Sequence, residues 1–441
     1  MSYRKTSILK NIDWIIVILV VCLVLFGWAN IISATSNIEV ADWLDWNGKA
    51  GKQLLWMGIC LVLALIILNI ESEFFIRTSI LQYISTLLLL VTVLVIGKKI
   101  GGARSWFSLG GFSLQPSEFA KPTTALALAW YLSRDSSKWK SFKSRIYSIL
   151  LVGIPAGLIL LQPDAGTVLV FAGFVFVLYR EGLSGNVLIL GFASMILAIA
   201  TILFGVSNST YPIIGTFSGV GWFWLGWIII GSLVLYIIRA ATVPRKRKSL
   251  TIWGTILLIA GLFMSVGLHT GMEKVLKPHQ RERIHVLFGI DVNNPDADYN
   301  IRHAKAAIGS GGFSGKGWMN GPMTAYSFVP EQETDFIFCT VGEEWGFLGT
   351  FTVVILFAFL ILRVVFIAER QRSKFTRVYA YGVASILFMH FLVNVGMVLG
   401  LAPVIGIPLP FFSYGGSSLI GFTFLLSVMM RLDAERYKML R

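Results

Sequence analysis

The sequence predicts an all-α polytopic membrane protein with about 12 transmembrane helices, and three observations predict it. Of 441 residues, 56% are hydrophobic and only 14% are charged, a balance that water-soluble domains of this length do not tolerate. The mean hydropathy is +0.74. The apolar residues gather in runs close to the roughly 20 that a helix needs to cross the hydrocarbon, each bounded by charge, Pro or Gly.

Residues 12–33 follow Arg4, Lys5 and Lys10 and form a run too long for a signal-peptide core, so they read as an uncleaved first span. Further runs lie at 52–70, 78–97, 116–133, 147–162, 165–180, 186–205, 219–238, 250–268, 336–361, 379–402 and 416–430. An even number of crossings puts both termini on one side. Most of the 37 Lys and Arg then fall on that side, including Arg134 to Arg145, Arg245 to Lys248 and Arg370 to Arg377. The positive-inside rule makes it the cytoplasmic side. The net charge of +14 is thus spread as short clusters between spans, and no nucleic-acid partner is expected. Cys22, Cys60 and Cys339 fall in or beside apolar runs without metal-like spacing and read as packing residues.

The stretch 269–334 is the one long polar segment, and it falls on the extracytoplasmic side. Loops of this length are functional or disordered. Arg281 to Ile290 alternates charge with Ile284, Val286, Leu287 and Phe288, the pattern of a helix lying in the membrane interface. A second helix is expected over 298–308, stopped by Gly309, Gly311 and Gly312. Two other outer segments, 101–117 and 403–418, are rich in Gly and Pro. Broken backbone at membrane depth needs protein or a watery cavity to satisfy it, so both are placed around one outward-facing cavity.

Asp335 lies where the long loop enters the 336–361 span. It could simply cap that helix. A carboxylate at the mouth of an apolar cavity, its pKa raised by desolvation, could also take a proton from a hydroxyl nucleophile. Glu343 and Glu344 fall within the hydrocarbon region, where acids are costly and face a partner. Glu118 and Lys121, three apart on one helix face, form a second candidate cluster. Arg104, Lys121, Arg281, Arg283 and Lys316 are available to a pyrophosphate, which needs cations where leaving-group charge develops. Residues 309–318 look like a phosphate-cradling loop, but Gly317 stands where a P-loop requires Ser or Thr, and the P-loop is rejected. His269, His279, His285 and His303 lack zinc spacing, so no protein metal site is expected. A divalent cation such as Mg or Mn could still arrive with a pyrophosphate. His390 and Asn394, four apart, read as an interhelical hydrogen-bonding pair.

Five blocks together resemble the SEDS family, which includes RodA, FtsW and SpoVE. They are Gly102-Ala103-Arg104-Ser105-Trp106 with Gln115-Pro116-Ser117-Glu118-Phe119-Ala120-Lys121; Leu161-Gln162-Pro163-Asp164-Ala165-Gly166-Thr167; Ala307 to Gly312 with Gly315-Lys316-Gly317-Trp318; Pro330-Glu331 through Asp335-Phe336-Ile337-Phe338 to Glu343-Glu344; and Pro408-Leu409-Pro410 with Ser413-Tyr414-Gly415-Gly416-Ser417. The Gly-Lys-Gly-Trp block is most similar to the RodA branch. The resemblance implies a peptidoglycan glycosyltransferase that polymerises lipid II during cell-wall elongation. It also implies a class B penicillin-binding protein (a transpeptidase) and other elongation-complex membrane proteins as partners. It places polymerase activity on Asp335 and functional importance on Trp106. The expected site is therefore Asp335 as catalytic base, with Trp106, Arg104, Lys121, Glu118, Arg281 and Lys316 toward substrate and Glu343 and Glu344 as further buried acids. Residues 1–441 are expected to form one membrane domain. Because the family usually has ten spans, 207–268 reads as an added helix pair. A lipid-linked precursor flippase is the competing expectation.

Overall fold

The computed structural model describes residues 11–35, 46, 48–100, 103–109, 112–134, 142–206, 219–274 and 295–436. Every expected apolar run coincides with a helix. In order these are α1 (Trp14–Thr35), α2 (Lys49–Asn69), α3 (Ser72–Ile96), α4 (Pro116–Arg134), α5 (Phe142–Leu161), α6 (Ala165–Ala172) with α7 (Phe174–Arg180), α8 (Gly185–Val206), α9 (Gly219–Ala241), α10 (Pro244–Lys274), α13 (Ile337–Glu369), α14 (Lys374–Val398) and α15 (Gly416–Ala434). Between α10 and α13 lie α11 (Pro295–Ser310) and the short α12 (Pro322–Ala325). Among the described residues, 10 helices are long and apolar enough to cross a membrane. The chain is a multi-pass membrane protein. The other two expected runs are α4, which carries Glu118 and Lys121, and the α6–α7 pair, which is broken at Gly173.

The all-α expectation holds, with one small sheet added. Within the 98–114 stretch, β1 (Lys98–Ile100), β2 (Ala103–Leu109) and β3 (Phe112–Leu114) form an antiparallel sheet in the order β1-β2-β3. Lys98 pairs with Trp106, and Phe107 pairs with Leu114. Glycine pairs at 101–102 and 110–111 flank β2 in the sequence. Between them Arg104 to Ser108 mixes polar and aromatic residues, which suits a half-buried strand.

Contacts divide the chain into two compact units, 1–183 with 299–441 and 184–298. In the second unit, α8, α9 and α10 join through buried polar side chains. Thr201 Oγ1 and Trp224 Nε1 each donate to Ser265 Oγ over 2.9 Å, the kind of bond that ties helices in a membrane. The expected added pair, α9 and α10, thus packs together with α8. The expected interfacial helix at 281–290 lies outside the described residues. The second loop helix is present as α11, ending at Ser310.

In the first unit, α4 sits at the centre against α3, α5, α14 and α15. Its small residues allow close approach, and a Cβ on Gly382 of α14 would stand 3.0 Å from that of Ala125. One end of this unit is locked by charge. Asp13, just before α1, pairs with Arg363 at 2.7 Å and Arg370 at 3.2 Å. Asp433 at the end of α15 bonds Arg370 and accepts from Gln371 at 2.6 Å. The start of α1 and the end of α15 therefore meet at the C-terminal end of α13. Asp335 lies at the other end of this 33-residue helix, roughly 50 Å away along its path.

Candidate active site

Asp335 occupies a tight turn preceding α13. The backbone N–H groups of Thr334 and Asp335 both donate to Glu331 O at 3.2 Å. Gln332 Nε2 donates to Thr340 Oγ1 at 2.7 Å, anchoring the turn to the first turn of the helix. The N-cap is Phe336, and no side chain caps the helix. Asp335 therefore does not serve the capping role that its position allowed. Asn394 Nδ2 of α14 donates to Asp335 O at 2.9 Å and to Ile407 O at 2.6 Å.

The 403–415 segment closes on the same point. Gly406 has φ +71, and a Cβ there would stand 3.0 Å from Asp335 Oδ2. Only glycine suits that backbone and leaves room for the carboxylate. The segment is fixed on its other sides as well. A Cβ on Gly27 of α1 would stand 2.4 Å from Phe412 O, and one on Gly166 of α6 would stand 2.8 Å from Ile407 Cγ1. Tyr414 N donates to Glu333 O at 2.9 Å, and the Glu333 carboxylate pairs with Lys49.

Asp335 is half-buried and its carboxylate has no hydrogen-bond partner among the described residues. Burial, followed by the negative charges of Glu331, Asp164 and Glu333, pushes its pKa from 3.8 to about 7. Asp164 is the near neighbour that the sequence reading quoted in a block but did not select. It caps α6, accepting from Thr167 N at 3.0 Å and Thr167 Oγ1 at 2.8 Å, and it accepts from Gln115 Nε2 at 3.1 Å. Its signal was the Asp-x-x-Thr capping spacing.

The structure does not bring the other expected residues into one cluster. Lys121 is 1% exposed, and its ammonium lies 2.8 Å from both Glu118 oxygens and 2.9 Å from His390 Nε2. It also sits 4.9 Å from the Phe422 ring. Glu118 and Lys121 form an interior ion pair within α4, and His390 ties it to α14, so Lys121, expected toward a pyrophosphate, is held inside the bundle. Arg104 and Trp106 share one face of β2, exposed and half-buried respectively. Arg281 lies outside the described residues. Of the pair expected to bond between helices, His390 reaches the Lys121 side chain of α4 as well as Pro408 O, 3.2 Å from its Nδ1, whereas Asn394 bonds carbonyls of the segments outside the helices.

Lys316, Glu343 and Glu344 gather instead at a break in α13. Gly346 has φ 62 and ψ −154 inside the helix, which orphans backbone groups on both sides of it. Residues 311–317 supply the missing partners. Lys316 N donates to Glu343 O at 3.1 Å and Gly317 N to Glu344 O at 2.9 Å. Phe347 N and Leu348 N donate in return to Gly312 O at 2.9 Å and Phe313 O at 3.2 Å. The loop that resembled a phosphate cradle spends its N–H groups on helix carbonyls. Lys316 Nζ bonds Ser310 Oγ at 2.7 Å and Glu343 Oε1 at 2.9 Å. Glu343 also accepts from Met323 N at 3.0 Å and from Thr324 N and Oγ1 at 2.8 Å. Lys316, expected toward substrate, is thus committed to a structural clamp. Glu344 accepts from Ser33 of α1, so both acids are buried and partnered through at least one oxygen.

Comparison with known proteins agrees with this architecture. The family model described as cell cycle protein, FtsW/RodA/SpoVE, matches residues 13–216 and 226–438. The peptidoglycan glycosyltransferase RodA of Treponema pallidum is 32% identical over 394 residues, covering 87% of this chain and 89% of the relative. The peptidoglycan glycosyltransferase MrdB of Escherichia coli is 31% identical over 390 residues, covering 88% and 86%. A chain from a solved peptidoglycan synthase complex, described as coordinating polymerization and crosslinking, superposes with a TM-score of 0.65 at 26% identity, covering 97% of this chain and 99% of that one. The chain belongs to the FtsW/RodA/SpoVE family, the SEDS proteins whose motifs its sequence carries.

Proposed function

We propose that this chain is a peptidoglycan glycosyltransferase that polymerises lipid II into glycan strands during cell-wall elongation. Asp335 is the general base. It takes the proton of the acceptor sugar 4-hydroxyl as that oxygen attacks the anomeric carbon of a lipid-pyrophosphate donor, with inversion. Undecaprenyl pyrophosphate leaves without needing a proton, so one base suffices, unlike the two carboxyl groups of glycoside hydrolysis.

The observation that carries this reading is the state of the Asp335 carboxylate. It is partly accessible, has no hydrogen-bond partner among the described residues, and has its pKa pushed up to about 7 by burial and neighbouring acids. A general base works best with a pKa near the operating pH, where it is ionised often enough yet still binds a proton. Among the described residues no group of three His, Cys, Asp or Glu could hold a metal ion. A divalent cation, Mg or Mn, would come bound to the substrate pyrophosphate, with Arg104 and Arg281 as further cations toward it.

The chain would sit in the bacterial inner membrane with both termini cytoplasmic and the 269–334 segment outside. The ionic lock of Asp13, Arg370 and Asp433 then faces the cytoplasm, and Asp335 faces the side where lipid II is consumed. A class B penicillin-binding protein is the proposed partner, with other elongation-complex membrane proteins around the pair. The test is incubation of the purified protein with labelled lipid II, with and without that partner. Strand formation that disappears in Asp335→Asn is the expected result. Wild-type movement of lipid II across vesicles without polymer would reject the enzyme in favour of a flippase.

A further inference from the structure

We infer that Asn394 is a positioning residue for the reaction: its side-chain amide fastens the backbone of Asp335 to the 403–415 segment and so fixes where the carboxylate meets the acceptor hydroxyl. This rests on the reading of Asp335 as general base. Asn394 is fully buried on α14. Its Nδ2 donates at 2.9 Å to the carbonyl of the residue that carries the carboxylate and at 2.6 Å to the carbonyl of Ile407. Ile407 follows Gly406, the residue on which Asp335 Oδ2 rests. One nitrogen therefore links the base to the wall it lies against.

The chemistry at position 394 is specific. Both carbonyls lie in irregular backbone beside a membrane helix, where each needs a donor. The residue after Ile407 is Pro408, which has no N–H to offer. A carboxamide carries two N–H donors on one atom, whereas a hydroxyl offers one and an ionised carboxylate none. Asn394 Oδ1 accepts no hydrogen bond among the described residues, so the side chain serves here through its two donors. His390, one turn earlier, faces Pro408 O at 3.2 Å and steadies the same segment without touching the Asp335 turn.

The experiment compares Asn394→Ala, Asn394→Asp and Asp335→Asn in glycan polymerisation from lipid II, with kcat, KM and the pH profile measured on monodisperse protein. Loss of positioning by about 1 Å costs on the order of 10²-fold in rate, so kcat of Asn394→Ala is expected to fall roughly 10- to 100-fold while KM stays within about twofold. Asn394→Asp keeps the shape and fills the space that Ala leaves empty, yet cannot serve both carbonyls. Its kcat is expected to fall as well. Buried against two carbonyl oxygens, the introduced acid keeps its proton and donates to only one of them, so the acid limb set by Asp335 should stay in place while kcat falls. Lys121, Glu118 and His390, the other charged or titratable groups nearby, are common to both proteins. Wild-type kcat for both Asn394→Ala and Asn394→Asp, with Asp335→Asn inactive, would overturn the positioning role and leave the base in place. Full activity in Asp335→Asn would instead remove the base reading itself.

Discussion

A Cβ placed on Gly346 would stand 2.3 Å from the backbone nitrogen of Gly315, so the break in α13 and the loop that fills it fit only as two glycines. Gly346 also holds φ 62, a region where other residues are strained by about 1–3 kcal/mol. Gly346→Ala should therefore destabilise the protein through both strain and collision, lowering the thermal midpoint in detergent by several degrees. Gly153→Ala in α5, where an added Cβ meets nothing within 4 Å, is the matched control. Equal midpoints for the two variants would show that the break does not depend on glycine.

The Lys316–Glu343 pair sets a second expectation. Glu343 is 0% exposed, and removing one partner of a buried ion pair costs about 3–5 kcal/mol, because the other charge is left without compensation. Lys316 is partly exposed, so water softens its loss and the lower end of that range is expected for Lys316→Met. Adding Glu343→Gln should restore part of the stability, since Gln keeps an acceptor for Thr324 and no longer carries a charge. A double variant less stable than Lys316→Met alone would place the value of Glu343 in its hydrogen bonds and not in the pair.

Much of this was legible in the sequence, and the reasons for what was not are physical. Among the described residues, length and hydropathy located all 10 helices long and apolar enough to cross a membrane, because a helix crossing hydrocarbon must satisfy its backbone internally and present apolar side chains. From residue type alone Asp335 read as readily as a helix cap, and it was the resemblance of its block to the family that singled it out. The sheet over 98–114 was read as irregular because its strands are short and its glycines dominate the local signal. The Glu118–Lys121 pair was legible because its members stand three apart on one helix, whereas the further partner of Lys121, His390, and the partner of Lys316, Glu343, lie 269 and 27 positions away, and a sequence does not show which distant side chains meet. Asn394 was recognised as an interhelical residue, but its acceptors are backbone carbonyls, which carry no sequence signal.

The pH dependence of the reaction should follow the Asp335 carboxylate. A base must be ionised to accept a proton, so polymerisation should fall as pH drops through about 7, the value to which burial and then Glu331, Asp164 and Glu333 raise it. Stability should run the opposite way. With the folded-state pKa raised from 3.8 to about 7, the native state keeps a proton that the unfolded chain releases, so stability declines as pH rises across that window. Asp335→Asn should therefore abolish polymerisation yet raise the melting temperature above pH 7. Thermal scans at pH 5 and pH 8 check it, and a variant no more stable than wild type at pH 8 would contradict the raised pKa.

Asp164→Asn tests the electrostatics of the site without dismantling it. Asp164 contributes negative charge that holds the Asp335 pKa up, while its oxygens cap α6 through Thr167 and accept from Gln115. Asn retains the oxygen needed for capping and is among the preferred N-cap residues, and the Gln115 amide can turn to meet the new donor. Stability should change little, whereas Asp164→Ala should lose about 1 kcal/mol with the cap. Removing the charge makes Asp335 easier to ionise, so the acid limb of the rate profile should move to lower pH in Asp164→Asn, with polymerisation retained below the wild-type midpoint. A limb that stays in place, in a variant that melts like wild type, would mean that water or substrate screens Asp164 from Asp335 and that burial alone sets the pKa of the base.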